Sequence, residues 1–270
     1  FSLGALAAPH VDPAALTVLR FLLAAVLVGV AALATTGIPR KAWRAPWRYL
    51  VLGALMAAYF VLMFEGLRSA APVPTAAVFT LTPAMAAGFG WLFLRQRLTG
   101  RMAAALAIGA AGALWVIFRA DLSALLALEI GRGEVVYFWG CVAHAAYTPL
   151  VRKLNRGEPA VVFTFGMMVA GTGLLALYAW PAFLATDWAA LPGIVWITLV
   201  YVAVVASALT FVLVQYATLR LPSAKVMAYT YLVPSWVALW EVVLHGLVQP
   251  GLVLVGVAMT VLALGLLLKE

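Results

Sequence analysis

Long apolar segments follow one another along this chain, with only short polar connections between them. A helix needs about 20 mostly apolar residues to cross the ~30 Å hydrocarbon core of a bilayer. Hydrophobic residues make up 66% of the 270 positions and charged residues only 10%, a balance that excludes an ordinary soluble domain. We therefore predict an all-α membrane protein with spans at 13–36, 46–69, 72–94, 99–119, 133–152, 159–181, 192–218, 223–245 and 249–268.

Residues 1–8 have the composition of the last turns of one more span. The chain begins at Phe1 rather than at a methionine, so we expect further residues before it to complete that helix. With this segment the expected number of transmembrane helices is ten.

Two distant parts of the sequence repeat the same pattern. Leu81-Thr82-Pro83 lies in the middle of one apolar segment, and Leu232-Val233-Pro234 lies in the middle of another, 151 positions later. The turn pairs Thr99-Gly100 and Pro250-Gly251 are separated by the same distance. Five spans per copy is an odd number, so the second copy must be inverted across the bilayer. Inverted repeats are typical of secondary transporters, whose site lies near the membrane midplane.

The predicted organisation follows from this repeat. We expect a first five-helix repeat over 1–119, a connecting loop over 120–132, and a second, inverted five-helix repeat over 133–270. The two repeats are expected to surround a central cavity.

The net charge of +8 is unevenly distributed among the loops. Thirteen of the 17 basic residues, including Arg40 and Arg156, fall in loops on one predicted side, whereas the other side holds Arg68, Arg119 and Arg132. Cytoplasmic loops carry an excess of Lys and Arg, so we place both termini in the cytoplasm of a bacterial-type plasma (inner) membrane. The basic surplus thus indicates topology and contact with the lipid bilayer, and no nucleic-acid partner is expected.

The sequence offers no set of metal ligands and no nucleotide-binding loop. Cys141 is alone, and His10, His144 and His245 lie on different segments, which does not match metal-ligand spacing. No phosphate-binding GxxxxGK[ST] pattern is present. We therefore expect no metal, no cofactor and no ATP-driven step.

Several short stretches resemble a known transporter family. Asp12-Pro13, followed by Leu19-Arg20-Phe21-Leu22-Leu23-Ala24-Ala25, resembles the segment after the first helix in the ten-helix EamA branch of the drug/metabolite transporter superfamily. The Leu-x-Pro helices fit the same family, and the similarity covers essentially the whole chain. The aromatic content further resembles that of the YddG-type exporters of aromatic amino acids. The resemblance implies a basket of ten helices in which helices 1, 3, 4, 6, 8 and 9 line a cavity and helices 5 and 10 brace it.

One position departs from that family. The family often has Gly-Glu-Arg-Leu-Thr where this chain has Arg95-Gln96-Arg97-Leu98-Thr99. The acid is absent at Gln96, so any role of that acid in the family cannot be transferred here.

Three charged residues fall inside predicted spans. Arg20 lies about 10 Å into its span at 1.5 Å per residue, and Glu65 and Glu241 lie near the outer ends of theirs. Each intramembrane charge costs at least ~2.5–3.5 kcal/mol on insertion scales, so each requires a reason. One interpretation is that they handle substrate or protons; the other is structural, with Arg20 paired to Glu65 or Glu241 or with the carboxylates in the watery mouth of a cavity.

Several aromatic side chains lie deep within the predicted spans rather than at the membrane interface. A buried Tyr or His needs a hydrogen-bond partner, which lipid does not supply. Each residue alone could simply be packing, but together on predicted lining helices they indicate a pocket suited to a flat apolar guest. The predicted substrate-binding residues are Tyr59, Phe79, His144, Tyr147, Tyr229 and Trp236.

The two repeated prolines, Pro83 and Pro234, are the predicted hinges. Proline removes a backbone hydrogen bond and can kink a helix, which frees carbonyls of the preceding turn near Phe79 and Thr230. A substrate ammonium group could bind there, or the kinks could be fixed structural features.

These features together predict a monomeric transporter of small molecules rather than an enzyme. The leading hypothesis is export of aromatic or apolar amino acids and related metabolites by alternating access. A sugar-phosphate, nucleotide-sugar or drug carrier of the same superfamily is one alternative, although phosphate would require several basic residues in the cavity. An intramembrane enzyme is another, for which His144 with Ser207 or Glu241 is the only conceivable starting point.

Overall fold

A computed structural model describes residues 2–118, 120–127, 130–246, 248 and 250–269 of the chain. The regular secondary structure of these residues is entirely helical. The α-helices are α1 Ser2–Ala7, α2 Pro13–Thr35, α3 Trp47–Leu67, α4 Pro72–Phe79, α5 Thr82–Leu94, α6 Gly100–Ile117, α7 Leu122–Ala127, α8 Arg132–Leu154, α9 Ala160–Ala185, α10 Gly193–Ala203, α11 Thr210–Thr218, α12 Ser223–Met227, α13 Val233–His245 and α14 Gly251–Leu268.

Eight helical segments in the described part of the chain are long and apolar enough to cross a membrane. They correspond to eight of the predicted spans, and most of their ends agree with the sequence prediction within a few residues. The expected number of ten is not reached. Helix α8 forms where the span 133–152 was predicted but is more polar, with charged residues at both ends, and α1 has only six residues.

Local sequence signals explain where individual helices begin. The Asp12 carboxylate accepts hydrogen bonds from the backbone N–H groups of Ala14 and Ala15 at 2.9 and 3.1 Å, and Pro13 occupies the first position of α2. The Thr99 hydroxyl accepts the N–H of Met102 at 3.2 Å at the start of α6. Both are N-caps, which satisfy donors that the first turn of a helix leaves free.

Three of the spanning segments are not continuous α-helices. The segment 72–94 is interrupted at Thr80 and Leu81, between α4 and α5. The segment 223–245 contains a 3₁₀-helix, Ala228–Leu232, between α12 and α13. The segment 193–218 contains a π-helix, Val204–Leu209, between α10 and α11. Two of the interruptions directly precede a proline at the second position of the next helix, and the third has no proline in it.

The chain divides into two compact units. We call Leu3–Phe64 with Leu150–Arg220 the arginine unit, and Glu65–Pro149 with the segment from Leu221 onward the aromatic unit. In the arginine unit α2 packs along α9, and in the aromatic unit α6 packs along α14. Each unit thus combines helices from both predicted sequence repeats, and each of these pairs joins helices at equivalent positions of the two repeats.

Close helix packing within the units depends on small residues. A Cβ atom added at Gly112 of α6 would lie 2.7 Å from the carbonyl oxygen of Gly256 on α14. A Cβ atom added at Gly53 of α3 would lie 2.7 Å from the backbone nitrogen of Gly171 on α9. Small residues at such contacts let helix backbones approach closely, which is how membrane helices gain packing energy.

Candidate substrate-binding site

A cluster of aromatic side chains lies inside the aromatic unit. Helix α8 presents Tyr137, His144 and Tyr147 among its buried residues, and the ring of Phe79, at the end of α4, lies against two of them. Its centroid is 5.2 Å from that of His144 and 6.3 Å from that of Tyr137. The imidazole of His144 is nearly parallel to the ring of Tyr147, at 4° and 6.4 Å.

Tyr229 adds one more ring to this cluster. It lies in the 3₁₀-helix before α13, and its centroid is 6.3 Å from that of Phe79 in an edge-to-face arrangement. The 3₁₀-helix in the segment 223–245 therefore places the ring of Tyr229 beside Phe79, which directly precedes the interruption in the segment 72–94. Four of the six predicted binding residues belong to this group, which we call the aromatic cluster: Phe79, His144, Tyr147 and Tyr229, joined by Tyr137.

The other two predicted residues lie elsewhere in the fold. Tyr59 belongs to the arginine unit, where its ring is 4.7 Å from that of Phe60. Trp236 lies on α13 and is 58% exposed, and the described ring contacts do not include it. The assignment of all six as substrate-binding residues remains a prediction.

The carbonyls freed by the prolines already have partners. The carbonyl of Phe79 accepts the hydroxyl of Thr82 at 2.5 Å. The carbonyl of Thr230 accepts the backbone N–H of Val233. Each carbonyl retains a second lone pair, so a ligand would have to share these acceptors.

Three buried hydroxyls of the aromatic unit are a polar feature that the sequence prediction missed. Thr148 follows Tyr147 on α8, Thr230 follows Tyr229, and Ser235 follows Pro234. Among the described residues the side-chain oxygens of these three residues have no hydrogen-bond partner although they are shielded from solvent. A buried hydroxyl without a partner costs about 1–3 kcal/mol, so these groups are available to a polar ligand or to water.

Arg20 is the centre of a second polar site, inside the arginine unit. Its side chain is 3% exposed. Nε donates to the Ser207 hydroxyl at 2.6 Å and Nη2 donates to the Ala206 carbonyl at 3.2 Å. The guanidinium carbon lies 3.8 Å from the ring centroid of Phe60, a cation–π contact. Arg20 thus binds the π-helix directly, through neutral acceptors rather than a carboxylate.

The predicted intramembrane carboxylates have different surroundings. Glu65, near the end of α3, pairs with the exposed Arg68 just after it, at 3.0 Å. Glu241 is buried on α13.

A buried ion pair joins the start of α3 to the loop between α8 and α9. Arg48 donates from Nη2 to the Glu158 carboxylate at 2.7 Å and from Nη1 to the Leu154 carbonyl at 2.7 Å. The backbone N–H of Arg156 donates to the other carboxylate oxygen at 2.7 Å. Burial raises the pKa of Glu158, but the hydrogen bonds from Arg48 and from the backbone outweigh it and hold that pKa below its ordinary value. Nothing in the sequence pattern indicated this pair, since Glu158 lies in a loop 110 positions from Arg48.

Comparison with known proteins assigns the family. Residues 1–118 and 131–269 match the family model described as the EamA-like transporter family. The chain belongs to this family. It is 26% identical over 180 residues to the uncharacterized transporter YyaM of Bacillus subtilis (strain 168), an alignment that covers 66% of this chain and only 59% of YyaM. A solved crystal structure has the same fold, with a TM-score of 0.74 over 98% of this chain and 90% of that chain, at 23% identity.

The family that this model describes is one of transporters, and the eight long apolar helices of the described residues fit a multi-pass membrane protein. In the part of the chain that the structure describes, no group of three or more His, Cys, Asp or Glu residues is placed to hold a metal ion. The side chain of His245 and all of Arg119 lie outside the described residues.

The position where this EamA chain lacks the expected acid has a clear structural role. The side-chain oxygen of Gln96 accepts the backbone N–H of Ser223 at 3.1 Å, at the start of α12. Pro222 precedes this helix and provides no side-chain cap of its own. Gln96 therefore satisfies one of the free donors of the helix, a role that needs only a neutral acceptor.

Proposed function

We propose that this EamA transporter exports amino acids with aromatic or apolar side chains, and related metabolites, from the cytoplasm by alternating access. The observation that carries the proposal is the aromatic cluster, two of whose residues are followed in the sequence by buried hydroxyls without a partner among the described residues. The cluster combines flat apolar surface with uncharged hydrogen-bonding groups, and an aromatic amino acid combines a ring with a polar head.

The chemistry of the cluster favours this guest over a phosphorylated one. Aromatic rings gain about 0.5–1.5 kcal/mol per well-placed ring pair beyond area burial. Phosphate requires several Lys or Arg side chains for its charge. The side chains in the described contacts of the cluster are aromatic, and the buried Arg20 belongs to the other unit, where its donors serve the π-helix.

The polar head of the substrate would bind the free hydroxyls. Thr148 and Thr230 each follow a cluster residue directly in the sequence, and their hydroxyls are buried without a partner among the described residues. A hydroxyl can donate to a carboxylate and accept from an ammonium group. Neutral groups of this kind bind a zwitterion without leaving a buried charge when the substrate departs.

The two proline-containing interruptions are the proposed hinges. Pro83 and Pro234 follow segments in which the backbone hydrogen-bond pattern has already changed from the α-helical one. Each break carries a cluster residue, Phe79 or Tyr229, so bending at either break would move a wall of the site. The predicted inverted repeat would let the two bends alternate, opening the site first to one side and then to the other.

Counter-flow in proteoliposomes tests the proposal. Vesicles loaded with unlabelled compound are given trace labelled tryptophan, phenylalanine, leucine, glutamate or a hexose phosphate outside. Tryptophan and phenylalanine should enter fastest, leucine more slowly, and the two anions no faster than into protein-free vesicles. Exchange of the hexose phosphate but of none of the amino acids would contradict the proposal.

Replacing a hydroxyl by a methyl group locates the polar part of the site. Thr148→Val and Thr230→Val remove unpaired hydroxyls, so stability should be unchanged or raised while tryptophan exchange falls. Thr75→Val is the matched control, because the buried hydroxyl of Thr75 is satisfied by the Ala71 carbonyl at 2.7 Å. The control should lose about 1 kcal/mol of stability and keep its exchange rate. Loss of stability without loss of exchange in both test variants would remove these hydroxyls from the site.

A further inference from the structure

An apolar groove runs along the outer surface of the aromatic unit. It has a volume of about 700 Å³ and lies between α5 and the start of α6. Its walls are made by small and apolar residues, and Trp91, 56% exposed, forms one side. The wall residues are Ala84, Ala87, Gly88, Trp91, Leu98 and Leu106.

A second groove lies on the other side of the same helix. Its volume is about 530 Å³, and its lining is almost wholly apolar, with Phe89 of α5 and Phe138 of α8 among its walls. Gly88 and Trp91 belong to both grooves. A Cβ atom added at Gly88 would meet nothing within 4 Å, so this residue keeps the space beside the helix open.

The first groove ends at a group of basic side chains. Arg97 and Gln96 line its polar end. The guanidinium of Arg95 lies 5.4 Å from the ring of Trp91. Arg95, Arg97 and Arg101 are all exposed, and none of them forms an ion pair with a carboxylate of the described chain. The sequence itself contains no Asp or Glu between Glu65 and Asp121.

We propose that these two grooves bind one anionic phospholipid. Its phosphate lies at Arg95 and Arg97, and its two acyl chains lie along α5 on either side of Gly88 and Trp91. The charge is complementary, since a basic residue at a membrane surface gains about 1 kcal/mol with anionic lipid. The location fits as well, because α5 ends at Leu94 and the arginines follow directly after this segment, which is long and apolar enough to cross a membrane. On the predicted topology this end faces the inner leaflet.

Lipid retention on the purified protein tests the site. Delipidated protein is titrated with phosphatidylglycerol, and separately with phosphatidylcholine, and bound lipid is counted by native mass spectrometry. Arg95→Gln with Arg97→Gln removes the headgroup contact, and Gly88→Leu fills the grooves. The matched controls are Arg40→Gln with Arg44→Gln, which removes the same charge from an exposed 3₁₀-helix, and Gly173→Leu, at another glycine with open space around it.

We expect one tightly held phosphatidylglycerol in the wild-type protein. Arg95→Gln with Arg97→Gln should bind it about thirtyfold more weakly, as expected for the loss of two surface charges. Gly88→Leu should also bind it more weakly, because the leucine side chain fills the grooves, whereas both controls should bind it as the wild-type protein does. An equal loss in the Arg40/Arg44 control would show a general charge effect and overturn the proposal. Unchanged binding in Gly88→Leu would overturn it too, because the acyl chains would then lie elsewhere. Because no transported compound is present, the outcome is independent of the substrate.

Discussion

The two units interrupt their membrane helices in different ways. In the aromatic unit, both interruptions precede a proline, and local groups satisfy the freed carbonyls: the Thr82 hydroxyl in one case and the Val233 N–H in the other. In the arginine unit the π-helix contains no proline, and a side chain from a different helix binds it, through Ser207 and Ala206 to Arg20. The interruptions of the aromatic unit are caused by a proline in the same segment. The π-helix of the arginine unit depends instead on a contact with another helix.

This difference separates two roles. An interruption that is satisfied locally can change its angle without breaking a contact to another helix, which suits a hinge. An interruption held by a buried guanidinium is fixed to its neighbour, because breaking the contact would leave a buried charge without partners. We therefore expect the aromatic unit to bind and move with the substrate, and the π-helix of the arginine unit to act as a rigid support.

The largest expected effect follows removal of the guanidinium. Arg20→Ala should destabilise the protein by about 3 kcal/mol, since hydrogen bonds to charged groups are worth about 1.5–3 kcal/mol and the Ser207 and Ala206 acceptors would lose their donor. The measurement is thermal unfolding in detergent. Arg220→Ala is the matched control, because Arg220 also stacks on a ring, that of Tyr216 at 3.6 Å, but is exposed. The control should change stability by no more than about 0.5 kcal/mol. Equal losses of stability in both variants would show that the buried contacts of Arg20 stabilise the protein no more than those of an exposed arginine.

Truncation of the aromatic cluster should reduce transport more than stability. Phe79→Ala removes the ring that contacts His144, Tyr137 and Tyr229, so tryptophan exchange should fall about tenfold, as expected for a loss of roughly 1–2 kcal/mol of contact energy. Trp139→Ala is the control on α8, because Trp139 is 60% exposed. Exchange by Phe79→Ala at the rate of the control would exclude the cluster as the binding site.

Straightening a proline-containing interruption should slow turnover by a smaller factor. Pro83→Ala and Pro234→Ala restore a backbone donor, and we expect about three- to tenfold slower exchange, equivalent to roughly 1 kcal/mol in the barrier. Substrate affinity should change less than the rate. Pro181→Ala, at an exposed proline inside α9, should leave the rate unchanged. If all three variants turn over like the wild-type protein, the prolines are only structural.

The smallest expected effect depends on pH. The pKa of Glu158 is held below its ordinary value, so the ion pair with Arg48 stabilises the folded state above the unfolded-state pKa, about 4.3 for Glu. This contribution is lost as the pH falls through the lower folded-state pKa. The difference in melting temperature between the wild-type protein and Glu158→Gln should therefore be largest at neutral pH and shrink below about pH 4. A difference that stays constant from pH 7 to pH 3 would contradict the assignment.

Sequence reasoning anticipated the features that have a local cause. Apolar length predicted the spanning segments, and the Leu-x-Pro pattern pointed to the two proline-containing interruptions. Six deep aromatic or histidine residues were also predicted from the sequence, and four of them lie in the aromatic cluster: Phe79, His144, Tyr147 and Tyr229.

Features that depend on contacts distant in sequence could not be predicted in this way. Ser207 and Ala206 lie 187 and 186 positions from Arg20, and no residue pattern marks the π-helix that they belong to. The same is true of the ion pair between Arg48 and Glu158. Thr148 and Thr230 were missed because threonines in membrane helices usually bond the preceding turn, so only their unpaired state in the folded chain reveals them.

We further propose that the chain is a facilitator, which moves an aromatic amino acid down its own gradient. The described carboxylates of the spanning helices, Glu65 and Glu241, lie near helix ends, whereas a proton-coupled carrier needs a titratable group that reaches both sides in turn. The most direct test follows the uptake of labelled tryptophan into proteoliposomes with and without an imposed proton gradient. We predict entry well above that of protein-free vesicles, ending at the external concentration in both conditions. Accumulation above that concentration, abolished by a protonophore, would contradict the facilitator mechanism. Entry no faster than into protein-free vesicles would contradict the transport of tryptophan itself.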